Sequence, residues 1–167
     1  MKTIILGTAH LKSTPGKGSP DGRLKEYKYS REVANAISVI LKDMGYNVFI
    51  DITDDDLKVS TSKELSLRCK IVNELVKQYK DCIYVSIHVN AAAADGKWHE
   101  GTGWEVFTSV GKTKADELAT CLYNAAKVNL KDKKMRVDMS DGDPDKEAHL
   151  YVLKYTNCPA VLTENFF

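Results

Sequence analysis

A chain of 167 residues suits one compact domain with a sizeable core, and 43% hydrophobic with 28% charged residues is the make-up of an ordinary soluble globular protein. Lys and Arg number 24 against 23 Asp and Glu, a net charge of +1, which argues against nucleic acid or an anionic membrane as partner. No apolar run approaches a membrane span, and the short run in MKTIILGTAH soon meets His10 and a polar loop. Neither membrane insertion nor a signal peptide is therefore expected. Cys69, Cys82, Cys121 and Cys158 form no CxxC pair and read as small core residues in a reducing compartment.

In chain order, Thr3–Leu6 is a β-branched run that predicts a buried strand. A loop rich in Gly, Ser, Pro and Lys follows, from about Gly7 to Leu24, long enough for its length to hint at function. From about Glu26 to Met44 the residues Val33, Ile37, Ile40 and Leu41 recur at helical spacing, and Gly45 stops that helix. Tyr46–Ile50 reads as a strand and Asp54–Asp56 as a polar turn. Leu65 to Tyr79 repeats the helical pattern. Cys82–Val89 is a strongly apolar strand, and Gly103–Thr108 reads as another. Asp116–Val128 predicts a helix, Met135–Asp145 an acidic loop, Ala148–Leu153 a short helix or strand, and Ala160–Thr163 the last strand. No repeat or linker divides the chain, so 1–167 is read as a single domain. Strands alternating with helices predict an α/β fold: three layers, a mostly parallel twisted sheet of about six strands, helices on both faces.

Ligands of such sheets bind beyond the C-terminal ends of the strands. His10 lies just past the first strand, His88 ends the central one and Glu164 follows the last. Catalytic zinc takes three protein ligands from His and Asp/Glu and keeps a fourth position open, so two strand-end histidines are candidate ligands. Either histidine alone is also an ordinary polar residue at a strand end. Glu26 opens the first helix, where the dipole favours any carboxylate; the residues alone do not choose it over Asp21 or Glu32. Ser86, His88 and Asn90 share one face of their strand, which makes Ser86 and Asn90 candidate substrate contacts. Glu164, after an apolar run, is a candidate general base. His99 and Glu100, with Trp98 and Trp104, lie in a loop that offers a groove wall, Trp104 reading rather as packing. Asp138, Asp141, Asp143 and Asp145 approach a calcium-loop spacing, but Pro144 interrupts it and no twelfth-position Glu follows.

The ordered set His10, Glu26, Ser86-Ile87-His88-Val89-Asn90-Ala91 and Pro159-Ala160-Val161-Leu162-Thr163-Glu164-Asn165-Phe166 resembles the zinc-dependent N-acetylmuramoyl-L-alanine amidases of the amidase_3 type. These are found in bacterial autolysins and phage endolysins. The resemblance runs from the first strand to the last residue. It implies Zn2+ held by His10, Glu26 and His88, with Glu164 as catalytic carboxylate. It also implies peptidoglycan as substrate, cut between N-acetylmuramic acid and the L-alanine of the stem peptide, by a chain expected to act as a monomer. Two departures stand out. The usual Asp-Pro-Gly-His-Gly-Gly start is replaced by Leu6-Gly7-Thr8-Ala9-His10-Leu11, which leaves the loop path beside His10 open. The chain also stops three residues after Glu164, which reads as a truncated C-terminus. A zinc peptidase acting within the stem peptide and a non-catalytic wall-binding module are the rival readings. The missing export signal leans toward a phage lysin.

Overall fold

The computed structural model describes residues 1–93 and 95–167. Its elements run β1 (Thr3–Thr8), α1 (Glu26–Asp43), β2 (Asn47–Ile50), α2 (Thr61–Gln78), β3 (Cys82–His88), β4 (Trp104–Thr108), α3 (Lys114–Asn129), β5 (Lys146–Glu147), α4 (Tyr151–Tyr155) and β6 (Ala160–Asn165). The strands form one sheet in the order β2-β1-β3-β6-β4-β5. Every neighbouring pair is parallel except β4 and β6.

Three apolar cores fix the layers. Ile4, Leu6 and Ile87 pack against Ala34, Val33 and Ile37 of α1, and Val106 and Val161 pack against Ala115, Ala119 and Tyr123 of α3. On the opposite face, Ile5, Tyr84 and Leu162 meet Cys69 and Val72 of α2 and Val152 and Leu153 of α4. Alternate residues of each strand thus feed opposite faces, as the two-residue pleat requires. The predicted three-layer α/β arrangement, with about six strands and helices on both faces, is the one observed. No helix among the described residues is long and apolar enough to cross a membrane.

Several boundaries move, for physical reasons. Gly45, at φ +88, closes α1: its N–H donates to the Lys42 carbonyl and the Tyr46 N–H to that of Leu41. Helix α2 begins a turn before the apolar periodicity, because the Ser60 hydroxyl accepts from the Lys63 N–H at 3.4 Å. Strands β1 and β6 each run two residues past their apolar stretches, since Gly7 and Thr8 pair with Ser86 and Ile87, and Glu164 pairs with His88. The two-residue β5, held beside Phe107 and Thr108, lies between the expected acidic loop and the expected short helix or strand. Of the cysteines, Cys69 and Cys82 are buried and Cys158 half-buried, but Cys121 is exposed, which corrects its reading as a core residue. Helix α3 turns Ala115, Ala119 and Tyr123 inward, and Cys121 sits about 200° around from Ala119.

The consequence for function is positional. The C-terminal ends of β1, β3 and β6, adjacent in the sheet, meet the N-terminus of α1 at a single rim.

Candidate metal centre

His10 stands two residues beyond β1, in the left-handed backbone region at φ +48. The Ala9 N–H donates to the Ser30 hydroxyl of α1 at 2.9 Å, fastening this corner to the helix that carries Glu26. Glu26 opens α1, and its own N–H donates to the Lys17 carbonyl at 3.2 Å, so the long loop folds back onto the helix start. His88 is the last residue of β3, and the Asn165 side chain donates to its carbonyl at 2.9 Å. Asn165 is itself fixed by the Trp104 indole N–H, also at 2.9 Å.

These supports bring three side chains together. Glu26 Oε1 lies 3.0 Å from His88 Nδ1, Glu26 Oε2 lies 3.4 Å from His10 Nε2, and one donor atom from each residue falls within 4.8 Å of the others. The imidazoles meet edge to face with centroids 5.2 Å apart. The remaining ring nitrogen of His88, Nε2, faces the buried Ser86 hydroxyl at 3.1 Å, and the Val89 N–H donates to Glu26 Oε1 at 3.1 Å. Among the described residues this is the one group of three or more His, Cys, Asp or Glu with such convergence.

Burial and close neighbours set the electrostatics of the site. Burial lowers the His10 pKa to about 4, with His88 and Lys17 adding to the effect and Glu26 opposing it. Its contact with Glu26 is therefore between a neutral imidazole and a carboxylate at neutral pH. Burial would raise Glu26, but its hydrogen bond to His88, the nearby His10 and the Val89 N–H outweigh that and hold it below the ordinary carboxylate range. Glu164 goes the other way. It sits beside His88 in the sheet register and beside Glu105 on the other side. Burial first, then Glu26 and Glu105, push its pKa up to about 8, and its Oε2 is buried without a hydrogen-bond partner.

The other sequence candidates fall as follows. The Asn90 amide donates to Glu105, while its Oδ1 accepts from the Ala91 N–H at 2.8 Å. Trp104 is buried, as packing requires, whereas Trp98 is 65% exposed and His99 pairs with Asp95. The sequence reading passed over Glu105, which is 2% exposed and accepts from Asn90, Arg136 and Lys146. A lone Glu among apolar strand residues in Trp104-Glu105-Val106 was the available signal.

Residues 4–167 match the family described as N-acetylmuramoyl-L-alanine amidase, the amidase_3 type. The chain belongs to that family. Solved structures agree. The CwlD amidase from Clostridioides difficile, determined in complex with the GerS lipoprotein, is 25% identical with a TM-score of 0.75, covering 100% of this chain and 83% of its own. The catalytic domain of CwlV, an N-acetylmuramoyl-L-alanine amidase from Paenibacillus polymyxa, is 20% identical with a TM-score of 0.72 over 99% of this chain and 80% of its own. AmiC2 of Nostoc punctiforme is 22% identical with a TM-score of 0.73 over 99% and 79%. No curated protein matches the chain in sequence. The amidase is thus a peptidoglycan hydrolase, and the convergent His10, Glu26 and His88 sit on the rim where its fold places ligands.

Proposed function

We propose that His10, Glu26 and His88 hold one catalytic Zn2+ and that Glu164 is the general base and acid in hydrolysis of the amide joining the muramoyl lactyl group to L-alanine. The convergence of the three donors carries this reading. The donor set fits the metal: two imidazoles and one carboxylate leave a fourth position for water. A neutral His10 and an ionised Glu26 are in the protonation states that coordination needs. The partnerless oxygen of Glu164, crowded by two other carboxylates, is a further mark of a pocket that accommodates a cation. When bound, zinc acidifies water and polarises the scissile carbonyl.

The chain's own residues do the rest. Ser86 is 1% exposed, out of a substrate's reach, and its hydroxyl stands 3.1 Å from His88 Nε2, where it supports the ring from behind. Asn165 holds the His88 backbone and Ser30 that of Ala9, so both imidazoles are aimed from behind. Glu164 takes the proton of the attacking water and returns it to the leaving amine nitrogen. Without a cation beside it the protonated form prevails at neutral pH; zinc held by the three ligands would favour the ionised form that accepts the water proton. Asn90 keeps its amide on Glu105, at the rim beside Glu164, and orients rather than anchors the substrate. All four principal residues come from one chain, so a monomer suffices.

Digestion of purified cell wall, with the new termini mapped, tests the bond assignment. L-alanine N-termini paired with free lactyl carboxyl groups are expected; termini elsewhere in the stem peptide would overturn it.

A further inference from the structure

Behind the metal centre lies a second polar cluster that the proposed chemistry does not use. Arg68 of α2 is 2% exposed. Its Nε and Nη2 donate to Glu64 Oε1 at 3.1 and 3.0 Å, and its Nη1 donates to Asp51 Oδ2 at 2.7 Å and to the Thr8 hydroxyl at 3.3 Å. The remaining Nη2 bond, at 3.1 Å, goes to the backbone carbonyl of His10. All five N–H donors of the guanidinium are thus used, and one of them grips a proposed ligand 58 residues away in sequence.

The gripped residue is, with Asp81 and Phe166, one of three non-glycine residues at positive φ among the described residues. His10 holds φ +48, a region that non-glycine residues occupy sparsely. The corner after His10 is tied to the same helix, because the Thr14 hydroxyl accepts from the Leu11 N–H at 3.2 Å and donates to Glu64 Oε2 at 3.3 Å. Asp51, the other carboxylate, is oriented by the Tyr84 hydroxyl at 3.0 Å and the Thr8 N–H at 2.9 Å.

We propose that Arg68, aimed by Asp51 and Glu64, is the positioning residue of the metal centre: it sets the backbone of His10 and so the direction of its imidazole. This rests on the metal reading above. Lysine at position 68 keeps the charge between the two carboxylates, but its compact ammonium lacks the fork that spans Glu64, Asp51 and the His10 carbonyl together.

The test is Arg68→Lys on the full chain, with zinc affinity measured by chelator competition and the d–d spectrum of the cobalt(II)-loaded protein recorded. Val72→Ala, a buried apolar change in the same helix, serves as a comparator for lost stability. Zinc affinity about 10- to 100-fold weaker and an altered cobalt spectrum are expected for Arg68→Lys, with kcat lowered and KM little changed. Val72→Ala should melt earlier yet keep both metal readouts. If Arg68→Lys does not fold, Thr14→Ala cuts the same support at the loop and is expected to weaken zinc binding by about threefold. Unchanged affinity and spectrum in the folded Arg variant, unchanged affinity in Thr14→Ala, or an equal loss in Val72→Ala would overturn the proposal. Failure of the wild-type chain to bind zinc would instead overturn the metal reading itself.

Discussion

Two polar clusters sit back to back in this amidase, and they are finished to different degrees. Around Arg68, two carboxylates, a guanidinium, a phenol and a threonine hydroxyl satisfy one another, and each of these groups is nearly inaccessible. Around His10, Glu26, His88 and Glu164, two imidazoles and one carboxylate converge on one point, and the carboxyl of Glu164 keeps a buried oxygen with no hydrogen-bond partner. A completed network rigidifies what touches it, whereas an incomplete one is destabilising unless something else enters. In the proposed reading the first cluster is scaffold and the second carries the chemistry. Their shared boundary is the His10 backbone, held from one side and used from the other.

The largest effects expected are on activity, in the incomplete cluster. His88→Ala should lose both metal and hydrolysis, with turnover falling by about four orders of magnitude or more; substantial turbidity clearance would contradict its role. Glu164→Gln should keep the metal and lose about 100- to 10,000-fold in kcat, and a variant that cleared walls normally would remove the base assignment. In the completed cluster the effect is on folding. Arg68→Ala strands Asp51 and Glu64 as uncompensated buried carboxylates and should destabilise the chain by about 3–5 kcal/mol in denaturant melts.

A subtler contrast concerns pH. In metal-free protein the folded-state pKa of Glu164, about 8, lies above its unfolded value, so the native state holds an extra proton between those values. Stability from this group is present at low pH and is lost as pH rises through about 8. Glu164→Gln removes that loss and should stabilise the metal-free chain by about 2 kcal/mol at pH 8–9, with little gain near pH 4. His10 runs in the opposite sense, since its folded pKa of about 4 costs stability as pH falls below its unfolded value. A stability difference independent of pH would show that Glu164 is not crowded as described. The smallest effect lies outside both clusters: Thr113→Ala breaks the capping box at the start of α3 and should cost about 1 kcal/mol without changing metal affinity.

The sequence displays the parts of this molecule that rest on local pattern. The apolar runs of β1, β3 and β6 announce parallel strands, and two histidines at strand ends announce a rim. Glu26 was one helix-starting acid among several, and only resemblance to a family singled it out. Arg68 and Glu105 were not legible, because each looks like an ordinary polar residue until its distant partners are in place. Arg68 gains its meaning from Asp51 and His10, and Glu105 from Arg136 and Lys146. Strand β5 was missed because two residues carry no periodicity, and Cys121 was misplaced because residue type says nothing about helix facing.

The central claim is the ligand set, and zinc K-edge X-ray absorption of the purified, zinc-loaded chain reports on it directly. Two imidazole nitrogens at about 2.0–2.1 Å and a carboxylate oxygen at about 2.0–2.2 Å are expected, with the two-imidazole signature reduced to one in His10→Ala or His88→Ala. A shell containing sulfur at about 2.3 Å, or one unchanged by either histidine variant, would contradict it.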